Sequence, residues 1–142
     1  MKKVYLLLLS VLFLFNGCEI NKFGTKMFTD YIKAYHDNWT WEGRPGEAGF
    51  CAWQKFEFKE ITKKVMDEGA VMVYFIDKEG RDNALPYVFT VDNGRMKLME
   101  NIRFRVEKGF LTIVVEWSDA EEYAFTPADD MRFKVCILSE ED

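Results

Sequence analysis

GAVMVYFIDKEGRDNALPYVFTV, residues 69–91, carries two strand-like runs on either side of a polar segment. Ala70 to Ile76 carries no charge and is rich in β-branched and aromatic side chains, which is how a strand buried on both faces reads. Leu85 to Val91 reads as a second strand, with Pro86 next to its start, where a missing N–H does least harm. The polar segment Lys78 to Ala84 joins the two as a loop. The expectation is that this pair lies in the middle of a sheet, with the remaining strands flanking and covering it.

On the C-terminal side, Asn93-Gly94 is a strong hairpin signal, because both residues tolerate φ > 0. Lys108-Gly109 is a second one, and its register can be tested on paper. A two-residue loop there pairs Val106 with Leu111, Phe104 with Ile113 and Ile102 with Val115, apolar against apolar, while Arg103 and Arg105 face out. A slip of one residue would put both arginines in the core, so the register is well specified. A three-strand meander follows, over residues 85–91, 96–106 and 110–117. Ser118 to Asp130 is acidic and turn-like, and Met131 to Leu138 closes the domain as a strand with Met131, Phe133, Val135 and Ile137 on one face.

On the N-terminal side, Phe50 to Lys59 alternates. Phe50, Ala52, Phe56 and Phe58 share one face, with Gln54 the polar exception, and Cys51, Trp53, Lys55 and Glu57 share the other. Ile61 to Gly69 reads as one or two helical turns, capped by Thr62, stapled by Ile61 and Met66, and stopped by Gly69 in a left-handed conformation. Met27 to Glu42 is ambiguous. Phe28, Tyr31, Ile32 and Tyr35 have helical spacing, whereas Tyr31, Tyr35, Trp39 and Trp41 favour a strand by residue type; the expectation is an extended strand. Gly43 to Gly49 is a loop. About seven short strands with frequent turns argue an all-β antiparallel sandwich with one short helical turn near residues 61–68; a small closed barrel is the alternative.

The chain opens with Met1-Lys2-Lys3 and an apolar run to Phe15, a secretory-signal pattern too short to span a bilayer. Phe15-Asn16-Gly17-Cys18 resembles the end of a bacterial lipoprotein signal, in which the Cys thiol is acylated and becomes the new N-terminus. Residues 1–17 are then a signal peptide, 18–26 a tether and 27–142 a single domain. Loss of Lys2 and Lys3 leaves the domain two units more negative than the −5 of the whole chain. Such a domain is a poor partner for nucleic acid or anionic membrane, so membrane contact falls to the lipid on Cys18. Localisation is expected at the outer membrane, on its periplasmic face or at the cell surface. With Cys18 lipidated, Cys51 and Cys136 remain in a disulfide-permissive compartment. They form a cross-strand disulfide if their strands are neighbours, and stay free if they are not.

Ile61-Thr62, Val65, Gly69-Ala70-Val71, Val73-Tyr74, Leu85-Pro86-Tyr87, Gly109, Ile113 and Arg132 through Ile137 together resemble a family of small Bacteroidetes lipoproteins of unknown function. The resemblance covers most of residues 35–138. It implies an immunoglobulin-like β-sandwich and carries no catalytic residue with it.

Candidate chemistry is sparse. His36 is the single histidine, so a two-His metal site is excluded, and a surface histidine is the expected reading. Asp77, Glu79 and Asp82 crowd one loop without the spacing of a calcium loop, and are expected to be solvated. Asp119, Glu121, Glu122, Asp129 and Asp130 read as a charged rim. Trp39 and Trp41 are expected in the core. Trp53, which shares its face with Lys55 and Glu57, is the best candidate for an exposed aromatic contact surface, with Tyr74 as its neighbour. The expectation is a non-catalytic envelope binding module with no cofactor or metal, for a glycan or protein ligand. A structural or accessory lipoprotein without a small ligand is the alternative.

Overall fold

The computed structural model describes residues 24–92, 97–117 and 129–140. Within them the order is β1 (Thr25–Ala34), β2 (Thr40–Glu42), β3 (Cys51–Glu57), α1 (Lys63–Glu68), β4 (Ala70–Ile76), β5 (Asp82–Ala84), β6 (Tyr87–Asp92), β7 (Lys97–Glu107), β8 (Phe110–Trp117) and β9 (Met131–Glu140). One sheet runs β1-β9-β4-β5 and the other β2-β3-β8-β7-β6, with every pairing antiparallel. Neither sheet closes on itself, so the domain is a two-layer antiparallel β-sandwich and not a barrel. The core lies between the layers. Val73, Phe133 and Val135 enter it from the first sheet and Ile102, Leu111, Ile113 and Val115 from the second.

The meander forms in the expected register: Val106 opposes Leu111, Phe104 opposes Ile113 and Ile102 opposes Val115. Gly109, at φ 79°, makes the turn possible. The expected Asn93-Gly94 turn lies outside the described residues. The ambiguous segment is extended, because β1 pairs along its whole length with β9, and it begins at Thr25, inside the stretch read as a tether. Trp39 is buried, while Trp41 stacks on Phe50 and Trp117 with centroids 5.2 and 5.5 Å apart.

Three expectations are corrected. First, β4 is an interior strand but is covered on one face only. Val71, Val73 and Phe75 face the core, whereas Met72 is exposed and Tyr74 half-exposed. An uncharged run of Met and Tyr mimics double burial, because both side chains tolerate a wet face without any charge. Second, residues 85–91 do not pair with β4. The segment read as a loop holds the three-residue strand β5, which takes the edge beside β4. After Leu85 N–H donates to the Val73 carbonyl at 2.9 Å, the chain crosses to the other sheet, where β6 is an edge strand. Third, the start and end of the helix differ from expectation. Thr62 does cap it, its hydroxyl accepting from Val65 N–H at 3.2 Å. Met66, however, is exposed rather than stapled to the buried Ile61, and Gly69 has φ −103°, outside the left-handed region.

The cysteines do not pair. Cys51 belongs to β3 of one sheet and Cys136 to β9 of the other, and both are free. Each stands on the outward face by alternation yet is buried, because cross-strand neighbours cover it: Glu42 and Glu116 flank Cys51, and Thr29 and Met72 flank Cys136. Burial raises the pKa of the Cys51 thiol, which keeps it in its unreactive protonated form.

Candidate functional site

The inward face of the meander carries one residue that does not belong in an apolar core. The register sets Phe89, Glu100 and Trp117 side by side across β6, β7 and β8. Glu100 has the same parity as Ile102, Phe104 and Val106, so its side chain turns inward, and it is only 6 % exposed. One carboxyl oxygen, Oε2, accepts from the Trp117 indole N–H at 3.1 Å. The other, Oε1, is buried and has no partner among the described residues. Burial raises the pKa of this carboxyl above its ordinary value, and the indole hydrogen bond only partly opposes that.

Glu100 lines a cavity of about 650 Å³ at one end of the sandwich, within the size range of small-molecule sites. Aromatic rings from both layers form one wall. Phe75 of β4 lies parallel to Phe89, at 6.4 Å and 2°, and stacks on Tyr87 at 6.0 Å; Tyr87 and Phe89 stack on each other at 5.5 Å. Ile76 and Met131 complete the apolar lining. Of the described lining residues, Glu100 alone is buried.

The rim is charged and largely self-neutralised. Asp77 accepts from the backbone N–H groups of Glu79 and Arg81 at 3.0 and 2.9 Å, and from Arg81 Nε at 2.7 Å. These bonds, led by the Arg81 backbone N–H, hold its pKa down at about 2. The guanidinium of Arg81 also reaches Glu79 at 2.9 Å, and Asp82 is paired with Lys134. The three carboxylates that crowd this loop in sequence are thus spent on cations of the protein itself. Among the described residues no group of three or more His, Cys, Asp or Glu side chains could hold a metal ion. Asp130, also at the rim, accepts from Lys33 at 2.7 Å and from both the backbone N–H and Nδ1 of His36, which ties the end of β1 to the start of β9. The Lys33 and His36 bonds hold Asp130 well below the usual carboxylate range, and His36 is raised chiefly by its bond to Asp130. His36 is an exposed structural tie.

Comparison with protein-family models, with curated proteins and with solved structures found no match.

Of the residues singled out in the sequence, Asp77, Glu79, Asp129 and Asp130 line the cavity rim, and the expected contact residues do not. Cys18, Asp119, Glu121 and Glu122 lie outside the described residues. Trp53 is half-buried on the outer face of the second sheet, opposite Val114, which is itself fully buried although it points outward. The side chains placed to cover Val114 are its cross-strand neighbours Trp53 and Arg103, the latter clamped to Glu116 through Nε at 2.9 Å and Nη2 at 2.5 Å. Tyr74 stands on the outer face of the first sheet under the Lys134 ammonium, 4.7 Å from its ring centroid. The two aromatics face opposite sides of the sandwich, so the expected joint platform does not form. Asp129 and Asp130 reach the cavity rim. Glu100 is not among the residues singled out in the sequence, although the signal is present: the alternation that turns Arg103 and Arg105 outward turns Glu100 inward.

Proposed function

We propose that this protein is a lipid-anchored, non-catalytic binding module of the bacterial cell envelope, held by acylated Cys18, with its ligand site in the inter-sheet cavity. The observation that carries the reading is the buried Glu100 carboxyl, with one oxygen unpartnered, beside an aromatic wall in a space large enough for a small molecule. An unpaired buried carboxyl oxygen costs stability, about 1–3 kcal/mol for an unsatisfied polar group and more if charged. A core that needed only to be stable would carry an apolar residue there. The resemblance to small lipoproteins and the pattern ending at Cys18 support the anchor.

The test uses two variants of the full chain expressed in a bacterium. Cys18→Ser should abolish labelling by an alkynyl fatty acid and release the protein from membranes. Met131→Trp should narrow the cavity and weaken capture from a panel of glycans and small metabolites while leaving labelling intact. Ligand capture unchanged in Met131→Trp would remove the cavity from the reading. A second reading, an accessory lipoprotein that contacts another protein, is favoured by the exposed apolar side chains on the outer face of the first sheet, where Met27 is 64 %, Tyr31 65 % and Met72 37 % exposed.

A further inference from the structure

We infer that the cavity is built for a monocationic ligand: a primary amine or guanidinium on an apolar or aromatic body, its N–H donated to Glu100 Oε1. The inference rests on the cavity being the ligand site and names what enters it. Three observations point the same way. Glu100 Oε2 is already taken by the Trp117 indole, which leaves Oε1 as the carboxyl oxygen with no donor among the described residues. An ionised carboxylate in this position is an unpaired buried charge. A neutral donor would satisfy its hydrogen bond but not its charge, an anion would repel it, and a cation meets both needs at once. The wall beside it is aromatic, formed by the mutually stacked Phe75, Tyr87 and Phe89, which suits the apolar or aromatic body of the ligand.

The rim itself is balanced. Its carboxylates are already paired, Asp77 and Glu79 with Arg81, Asp129 with Lys78 and Asp130 with Lys33 and His36, so the selection for positive charge rests on Glu100. Rings and carboxylate come from three strands of two sheets, so the site is assembled by the closure of the sandwich and not by one loop.

Three probes of one shape and different charge decide the matter: 2-phenylethylammonium, neutral 2-phenylethanol and anionic phenylacetate. Each is titrated into the full-length lipoprotein in detergent micelles while the Met131 methyl resonance, inside the cavity, is followed. The ammonium should give a saturable shift with an affinity at least tenfold above that of the alcohol, and phenylacetate should give none. In Glu100→Gln the advantage of the ammonium should fall to less than twofold, with the affinity of the alcohol retained. If the alcohol or phenylacetate shifts Met131 as well as the ammonium does, the cation assignment is overturned and the binding cavity stands. If none of the three moves Met131, both the assignment and the cavity reading fail. The three-probe comparison is made on the unmodified chain, so the question is decided even where Glu100→Gln does not fold.

Discussion

Phe133→Ala should lower the stability of the domain by about 3–5 kcal/mol, the usual cost of deleting a buried aromatic ring. Phe133 is fully buried in β9, the strand held on both sides within its sheet, and lies opposite Ile32 on β1 and Phe75 on β4. Its ring packs against Phe75 at 5.8 Å and 51°, so the void left by alanine opens directly behind the aromatic wall of the cavity. For a domain of this size the loss corresponds to a fall in Tm of roughly 10–20 °C. Phe110→Ala is the control, since Phe110 is 39 % exposed on an outward face and should cost less than about 1 kcal/mol. Denaturant unfolding of the two variants side by side measures both. Equal losses would show that the layers do not enclose Phe133 as described.

The second large effect is less intuitive, because it falls at an exposed glycine. A Cβ built on Gly69 would stand 2.2 Å from the Leu138 carbonyl oxygen and 2.9 Å from that of Val65, both backbone atoms. Gly69 donates its N–H to Val65 at the end of α1, and the next residue, Ala70, already pairs with Leu138. The glycine is required because helix, strand and β9 backbone meet within one residue's width. Gly69→Ala should therefore cost about 3 kcal/mol, the upper end of overpacking losses, since the obstructing atoms belong to two hydrogen-bonded elements. Gly69→Asn separates this account from the helix-stop reading. A left-handed stop accepts asparagine readily, whereas a close approach rejects it as firmly as alanine. Retention of near-native stability by the asparagine variant would favour the stop.

Where one face of a strand is apolar and the other charged, the sequence was sufficient. The Lys108-Gly109 register and the inward face of β9 could be read because a slip would have buried Arg103, Arg105, Arg132 or Lys134. It was insufficient where no charge marks the outer face. Met72, Tyr74 and Leu138 make the outer side of the first sheet look like core, and that is why β4 and residues 85–91 read as a doubly buried pair. The three-residue strands β2 and β5 carry too few side chains for any period to show. The free cysteines follow from the same gap, because sheet membership, and with it the neighbour of Cys51 or Cys136, depends on crossovers that alternation does not encode. Trp53 was correctly placed facing outward, but its burial depends on Val114 and the Arg103–Glu116 clamp, which come from strands about fifty residues or more further along. Glu100 is the opposite case, legible by parity, with its cavity hidden until both sheets are in place.

The Glu100 carboxyl is the centre of the account, and its own titration is the most direct test. Burial without full hydrogen bonding raises its folded pKa above the ordinary value of 4.5. The folded chain then binds the proton more tightly than the unfolded chain. The stability linked to this proton is complete below 4.5 and is lost as the pH rises through the folded pKa. Following the Glu100 side-chain carboxyl carbon by NMR from pH 3 to 9, the account predicts a midpoint clearly above 4.5, moving downward when 2-phenylethylammonium is added. A midpoint at or below 4.5, unmoved by the cation, would mean a solvated carboxylate and would contradict the buried site on which the proposed function stands.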